Sequence, residues 1–205
     1  GRVDAADASA AAGRRLAPAD ATAVRDRLQT PEGDPLPAER ERALRVAACR
    51  ETFEEAGVLL AHDAQGRPCP AGRLAGLQSL RGPVAGDAAA FVAMLEREDL
   101  YLDVDRLVYW SHWITPSLEP KRFDTRFFAI AVPPDQAASA DRSELTEHAW
   151  VRPARVHEAI ERREIRVVPP TLLTLEDLAE SHARHGSIAA MLDAERGRAT
   201  PPVMP

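Results

Sequence analysis

The fold is decided by residues 50–58, which read Arg50-Glu51-Thr52-Phe53-Glu54-Glu55-Ala56-Gly57-Val58. The surrounding pattern predicts a helix from about Pro37 to Gly57, since glycine is favoured where the chain turns left-handed after a helix. Glu51, Glu54 and Glu55 then lie within one turn on one helix face. Like charges at this spacing repel each other unless a positive group lies among them. The cluster therefore indicates a site for a hard divalent cation such as Mg²⁺, which prefers oxygen ligands.

The opposite face of the same helix carries apolar residues. Val46, Cys49, Phe53 and Ala56 recur at intervals of three, four and three residues, which places them on one core-facing stripe. Cys49 is therefore interpreted as a small buried hydrophobic residue. Acids opposite an apolar stripe are in general more often a solvated surface than a metal site, so the spacing of the three acids does not decide between these alternatives.

Residues 50–58 also resemble the signature of the Nudix hydrolases, whose central part reads Arg-Glu-aliphatic-x-Glu-Glu-x-Gly-aliphatic. Every fixed position is filled, with Thr52 in an aliphatic slot as a mild departure. Gly1 and Asp7 match the glycine and the acid with which that signature opens. Arg50 follows much later than the usual spacing, so we expect an insertion over residues 8–37. Its four prolines and alanine-rich stretches predict a loop with short surface helices.

Further segments resemble the branch of the family that includes the peroxisomal coenzyme A diphosphatases, which has an interrupted signature. The matching segments are residues 51–60, 113–116, 121–128 and 169–171. The resemblance covers most of residues 1–180 and implies an α/β fold, a Nudix-type α/β/α sandwich with a mixed sheet. It also implies strands before Gly1, so we expect the chain to lack its N-terminal segment. Residues 1–183 are expected to form the Nudix domain, and residues 184–205 a C-terminal helix and tail.

The apolar pattern independently predicts alternating strands and helices. Strands are predicted at residues 58–60, 107–110, 113–114, 123–132 and 147–151, and helices at 84–98, 153–162, 172–183 and 187–196. Asp87 is the predicted N-cap of the first of these helices. Residues 123–132 are apolar on both faces, which is typical of a central strand covered by helices. The residues after 196 are predicted to be a frayed tail.

The resemblance implies a hydrolase that uses Mg²⁺ or Mn²⁺. Glu51 and Glu55, one turn apart, are the best pair for one ion, and Glu54 is assigned to a second ion or to orienting water. Which acid acts as the base is left open. In the family Arg50 anchors neighbouring backbone and carboxylates, and it is assigned that orienting role here. Glu144, in an acidic run before a predicted strand, is the candidate for a distant catalytic carboxylate, and an exposed acidic turn is the alternative.

Two arginines are candidates for binding substrate phosphates. Arg122 and Arg126 flank the predicted strand at Phe123, four residues apart, which would place them on one strand face. The guanidinium group offers a planar fork to phosphate oxygens, including a coenzyme A 3′-phosphate. A structural role, such as a salt bridge to Asp124, is the favoured alternative.

Composition excludes several classes of partner. The 205-residue chain has a formal net charge of −6, which argues against a nucleic-acid surface. It has no apolar run long enough to span a membrane. Its two cysteines fit a reducing compartment, so a cytoplasmic location is expected. The oligomeric state is left open, with a homodimer as one alternative.

Three functions compete on this basis. The first is metal-dependent hydrolysis of coenzyme A or acyl-coenzyme A to 3′,5′-ADP and (acyl-)4′-phosphopantetheine. The second keeps the chemistry but acts on ADP-ribose or NADH. The third is a Nudix-fold ligand-binding module without activity, against which the intact Glu51, Glu54 and Glu55 count, since pure binding does not need three mutually repelling carboxylates.

Overall fold

A computed structural model of the protein describes residues 2–16, 27–139 and 149–204. These residues form two compact units. The first contains residues 2–16, 36–107 and 132–139, and the second contains residues 27–35, 108–131 and 149–204. No helix in the described ranges is long and apolar enough to cross a membrane.

The first unit is mainly helical. Its elements are α1 (Ala10–Arg14), α2 (Ala38–Ala56), β1 (Ala61–His62), α3 (Ala71–Leu77), α4 (Arg81–Val84), α5 (Ala88–Arg97) and β2 (Tyr101–Leu102). Strands β1 and β2 form an antiparallel pair. The Asp87 carboxylate accepts hydrogen bonds from the backbone N–H groups of Ala89 and Ala90. The predicted N-cap of α5 is therefore confirmed.

Helix α2 has the bounds that the sequence predicts. It begins after Pro37 and ends at Gly57, whose φ of 66° is left-handed. Val46, Cys49 and Phe53 are fully buried, which confirms three members of the predicted core stripe, whereas Ala56 is half-buried. Burial raises the pKa of the Cys49 thiol, so this residue stays a neutral apolar group.

The strand predicted at residues 58–60 is not formed; the strand in this region begins at Ala61. Val58, Leu59 and Leu60 are buried, but strand pairing starts only at Ala61. The Gln136 side chain explains the difference, because it accepts a hydrogen bond from the Leu59 N–H at 2.8 Å and donates one to the Leu59 carbonyl at 3.0 Å. A side-chain amide thus satisfies the backbone groups that a neighbouring strand would otherwise bind.

The second unit contains the mixed sheet. Its elements are β3 (Val108–Ile114), β4 (Asp124–Ala129), α6 (Val156–Glu161), α7 (Pro169–His185), α8 (Ile188–Glu195) and β5 (Pro202–Val203). Strand β3 pairs antiparallel with β4 and parallel with β5, and its Val108 and Trp110 pack against Met191 of α8. The predicted α/β class with a mixed sheet is confirmed.

Two strand predictions in this unit differ from the described structure. Within the described residues β4 pairs with β3 alone, so its central position in the sheet stays a prediction. The apolar side chain of Phe128 on β4 packs against β3, where its ring centroid lies 5.9 Å from that of Tyr109. Residues 149–151 form no strand, and Trp150 is 73% exposed. The remainder of the predicted strand at 147–151 lies outside the described residues.

The prediction of a frayed tail is also wrong for residues 197–204. Arg198 binds the Asp177 carboxylate at 2.6 Å and lies over the Trp110 ring at 4.6 Å. The Thr200 hydroxyl donates to the Tyr109 carbonyl at 3.2 Å, and Pro202–Val203 forms β5. These contacts join residues far apart in sequence, so no local sequence pattern predicts them.

His112 on β3 is a buried titratable group. Its Nε2 lies 2.5 Å from Asp124 Oδ1, and its side chain is fully buried. Burial lowers the pKa of His112 below its ordinary value of 6.5, and the nearby charge of Arg126 acts in the same direction. The hydrogen bond to Asp124 opposes this shift without cancelling it. His112 is therefore held neutral more strongly than a histidine in the unfolded chain.

This shift predicts a loss of stability in acid. Because the folded pKa lies below the unfolded one, the unfolded state takes up the proton first, and stability falls as pH drops through about 6.5 towards the folded pKa. We expect the free energy of unfolding, measured by urea titration between about pH 5 and about pH 8, to change less steeply in His112→Gln. His157→Gln, at an exposed histidine, is the control. An unchanged slope in His112→Gln would contradict this assignment.

Candidate active site

The last turns of α2 bring three acids and one arginine together. The Nη1 atom of Arg50 lies 3.0 Å from Glu51 Oε1 and 2.9 Å from Glu54 Oε1. A positive group therefore lies among the acids, which offsets the repulsion that their spacing implies. Thr52, the departure from the signature, donates its hydroxyl to the Ala48 carbonyl at 2.7 Å, so its polar atom is satisfied within the helix.

Arg50 also binds residues from the start of the chain. Its Nε and Nη2 atoms lie 3.0 and 3.2 Å from the two carboxylate oxygens of Asp7, and Nη2 donates to the Arg2 carbonyl at 2.8 Å. Asp7 is only 1% exposed. The contact joins the two halves of the interrupted signature and provides the anchoring that the resemblance implies for Arg50. A role of Arg50 in catalysis stays a prediction.

Burial and hydrogen bonding act in opposite directions on the charged groups of this cluster. Burial works against the charge of Arg50, but hydrogen bonds with Asp7 and Glu54 outweigh it and raise its pKa. Glu54 is 8% exposed, and desolvation raises the pKa of its carboxyl group despite the bond to Arg50. The negative charges of Glu51 and Asp7 act in the same direction. Three carboxylates thus share one guanidinium, which leaves an excess of negative charge.

The acidic face borders a cavity of about 560 Å³. Arg50, Glu51, Glu54 and Glu55 line one part of it, and residues 2–5, Gly86 and Ala88 line the remainder. Glu51 Oε1 also accepts a hydrogen bond from the Arg2 N–H at 3.1 Å. Within residues 2–16, 27–139 and 149–204, the Glu55 carboxylate has no hydrogen-bond or ion-pair partner. The cavity is large enough for part of a nucleotide.

These residues suit a divalent cation, although they do not converge on one point. Among the described residues, no group of three or more acidic, histidine or cysteine side chains is arranged to hold a metal ion. Arg50 contacts Glu51 and Glu54 through their Oε1 atoms, which leaves the Oε2 atoms and the Glu55 carboxylate as potential ligands. Hard oxygen donors of this kind are those that Mg²⁺ and Mn²⁺ prefer. Metal binding by the three acids therefore stays a prediction.

The predicted phosphate-binding arginines lie in the second unit. The Arg126 side chain is largely buried, lies 2.9 Å from Asp124 Oδ1 and donates to the Gln29 carbonyl. The salt bridge considered as its alternative role is confirmed. Arg122 is exposed and donates from Nε to the Thr115 carbonyl at 3.1 Å. Since β4 begins only at Asp124, the expectation that both arginines share a strand face is wrong.

One site prediction is not tested, and one residue of the site was not predicted. Glu144 lies outside the described residues, so its assignment stays a prediction. Arg81, which donates hydrogen bonds to the carbonyls of Glu54 and Glu55, was not predicted from the sequence. An isolated arginine outside the signature offers no spacing from which this contact could be predicted.

Comparison with known proteins shows extensive similarity. A family model described as "NUDT19 Nudix domain" matches residues 5–178. The chain is 35% identical over 146 residues to "Acyl-coenzyme A diphosphatase NUDT19" of Homo sapiens, covering 67% of this chain and 39% of that protein. The same-named protein of Gallus gallus is 35% identical over 164 residues, covering 71% of this chain and 42% of that protein. The chain thus spans about two fifths of the length of these relatives.

A solved structure shares the fold. The crystal structure of a Nudix hydrolase from Alicyclobacillus acidocaldarius matches with a TM-score of 0.57 and 26% sequence identity. The match covers 88% of this chain and 73% of that one.

Proposed function

Because the chain belongs to the Nudix hydrolases, in the family described as the NUDT19 Nudix domain, we propose that it hydrolyses coenzyme A or acyl-coenzyme A. Water would attack one phosphorus of the diphosphate and the bridging P–O bond would break. The products would be 3′,5′-ADP and (acyl-)4′-phosphopantetheine. The observation that carries this proposal is the acidic cavity of α2, in which Arg50 holds Asp7, Glu51 and Glu54. The substrate class is supported by the names of the human and chicken relatives.

Each residue of the cavity has a distinct role in this proposal. Glu51, Glu54 and Glu55 would hold Mg²⁺ or Mn²⁺, which polarises phosphoryl oxygens and lowers the pKa of bound water. Arg50 holds the Oε1 atoms of Glu51 and Glu54, which would leave their second oxygens to bind the ion. Where Glu54 orients water in place of holding a second ion, its raised carboxyl pKa suits a group that accepts the proton of that water.

The substrate assignment predicts a specific order of reactivity. We expect kcat/KM to be higher for coenzyme A than for dephospho-coenzyme A or ADP-ribose, because a cation should bind the 3′-phosphate. Arg122 is the better candidate for that contact, since Arg126 is already paired with Asp124. Loss of one charged contact costs about 1.5–3 kcal/mol, so Arg122→Ala should remove most of the preference for coenzyme A over its dephospho form.

The matched control is Arg166→Ala, which removes another exposed arginine of the second unit. It should leave the ratio of the two kcat/KM values unchanged. Faster turnover of ADP-ribose or NADH would instead support the second candidate activity. Equal kcat/KM for coenzyme A and its dephospho form would show that no 3′-phosphate contact exists. Absence of turnover on every substrate would support a ligand-binding module.

A further inference from the structure

Arg81, the first residue of α4, binds the C-terminal end of α2. Its Nη2 atom donates to the carbonyls of Glu54 and Glu55, both at 2.9 Å, and Nε donates to the Glu54 carbonyl at 3.2 Å. The same guanidinium donates to the Ser139 carbonyl and hydroxyl, both at 3.0 Å. Arg81 is 9% exposed. One planar group therefore ties the turn that carries two of the acids to residue 139.

The charge of Arg81 is directed at helix carbonyls instead of a carboxylate. Among the described residues it forms no ion pair, and its partners are the oxygens named above together with Gln78 Oε1 at 3.4 Å. The last carbonyls of a helix have no partner within the helix and carry partial negative charge. A buried guanidinium satisfies several of them at once through its fixed fork, which lysine cannot reproduce.

The turn that follows Glu55 is enclosed by polar side chains. A Cβ atom on Gly57 would lie 2.8 Å from Gln78 Oε1, 2.9 Å from Arg81 Nη1 and 3.0 Å from Ser139 Oγ. Gln78 also donates from Nε2 to the Gly57 carbonyl at 2.8 Å. The backbone at the end of α2 is therefore fixed from outside the helix, with no space for a side chain at residue 57.

This arrangement matters most for Glu55. Glu51 and Glu54 are oriented through their carboxylates by Arg50, whereas within the described part of the chain the Glu55 carboxylate has no such partner. The position of Glu55 therefore depends on its main chain, which Arg81 holds. We propose that Arg81 is a positioning residue that sets the Glu55 carboxylate for metal binding. This inference rests on the proposed function and adds a residue that lies outside the signature.

The test is direct titration with Mn²⁺ alone, by calorimetry or electron paramagnetic resonance, in wild type, Arg81→Lys and Arg81→Gln. Loss of an outer partner of a metal ligand typically weakens affinity by about 10- to 100-fold, and we expect a loss of this size in both variants. Ser139→Ala removes one contact of Arg81 and should weaken Mn²⁺ binding by less. Raising the Mg²⁺ concentration should partly restore hydrolysis in Arg81→Lys, since the metal ligands themselves are intact.

The matched control is Arg45→Lys. Arg45 is 5% exposed and donates to the Leu107 carbonyl at 2.8 Å, but it lies on α2 well before the acids. Its loss should lower stability without changing Mn²⁺ affinity.

Wild-type Mn²⁺ affinity in Arg81→Lys and Ser139→Ala would overturn the role of Arg81 while leaving the proposed function intact. A wild-type chain that binds no Mn²⁺ would overturn the metal assignment and the role of Arg81 together. Should Arg81→Gln fail to fold, the other two variants decide.

Discussion

Glu55→Gln is expected to reduce hydrolysis of coenzyme A by more than about 100-fold, the upper range for loss of an outer partner of a metal ligand. Glutamine keeps the size of the side chain but removes the charge of a proposed ligand. Folding stability should change little, because within the described residues the Glu55 carboxylate has no partner to lose. Removal of one negative charge beside Glu51 and Glu54 also relieves repulsion. The measurement is kcat/KM with saturating Mg²⁺, alongside a thermal melt.

Glu39→Gln supplies the control for this prediction. Glu39 is an exposed acid in the first turn of the same helix, so the substitution makes the same chemical change away from the acidic cavity. It should leave hydrolysis unchanged. Turnover of Glu55→Gln that equals wild type would remove Glu55 from the proposed metal site.

Phe53→Ala, in contrast to Glu55→Gln, should lower the stability of the fold and leave the metal dependence of hydrolysis unchanged. Phe53 lies between Glu51 and Glu54 in the sequence, but its side chain is fully buried. Its ring centroid lies 6.0 Å from that of Phe91. Truncation of a buried phenylalanine leaves a cavity and costs about 3–5 kcal/mol. We expect a loss of this size in the free energy of unfolding measured by urea titration, with Mg²⁺ dependence preserved in the fraction that stays folded.

Phe123→Ala makes the same change at an exposed phenylalanine. Surface substitutions usually alter stability by less than about 0.5 kcal/mol, so this variant should unfold like wild type. If Phe53→Ala and Phe123→Ala were equally stable, the buried face of α2 would be assigned wrongly.

Features determined by nearby residues could be predicted from sequence. Helix α2 has its apolar stripe and its terminal Gly57 within one segment, and Asp87 caps α5 through the two residues that follow it closely. The interrupted signature was predictable because residues 50–58 are specific, and the contact between Arg50 and Asp7 then joins its halves across 43 positions. The match of Gly1 and Asp7 to the signature came from the resemblance, and the contact between Asp7 and Arg50 was not predicted.

Features determined by distant residues could not be predicted. Gln136 replaces a strand beside Leu59, and β5 forms because residues 198–203 meet β3. Neither leaves a periodic signal in the sequence. The role of Arg81 could not be predicted for a similar reason, since it binds main-chain carbonyls, which every residue possesses. Burial of Glu54 was not predicted either, because it depends on residues 2–7, which precede the insertion and contact α2 through Asp7.

The most direct test of the account is identification of products by mass spectrometry after incubation of the chain with coenzyme A. With Mg²⁺ present we expect 3′,5′-ADP and 4′-phosphopantetheine in equal amounts, with loss of both products in excess EDTA and in Glu55→Gln. Undiminished product formation in EDTA, or intact coenzyme A in the presence of Mg²⁺ and the folded wild-type chain, would contradict it.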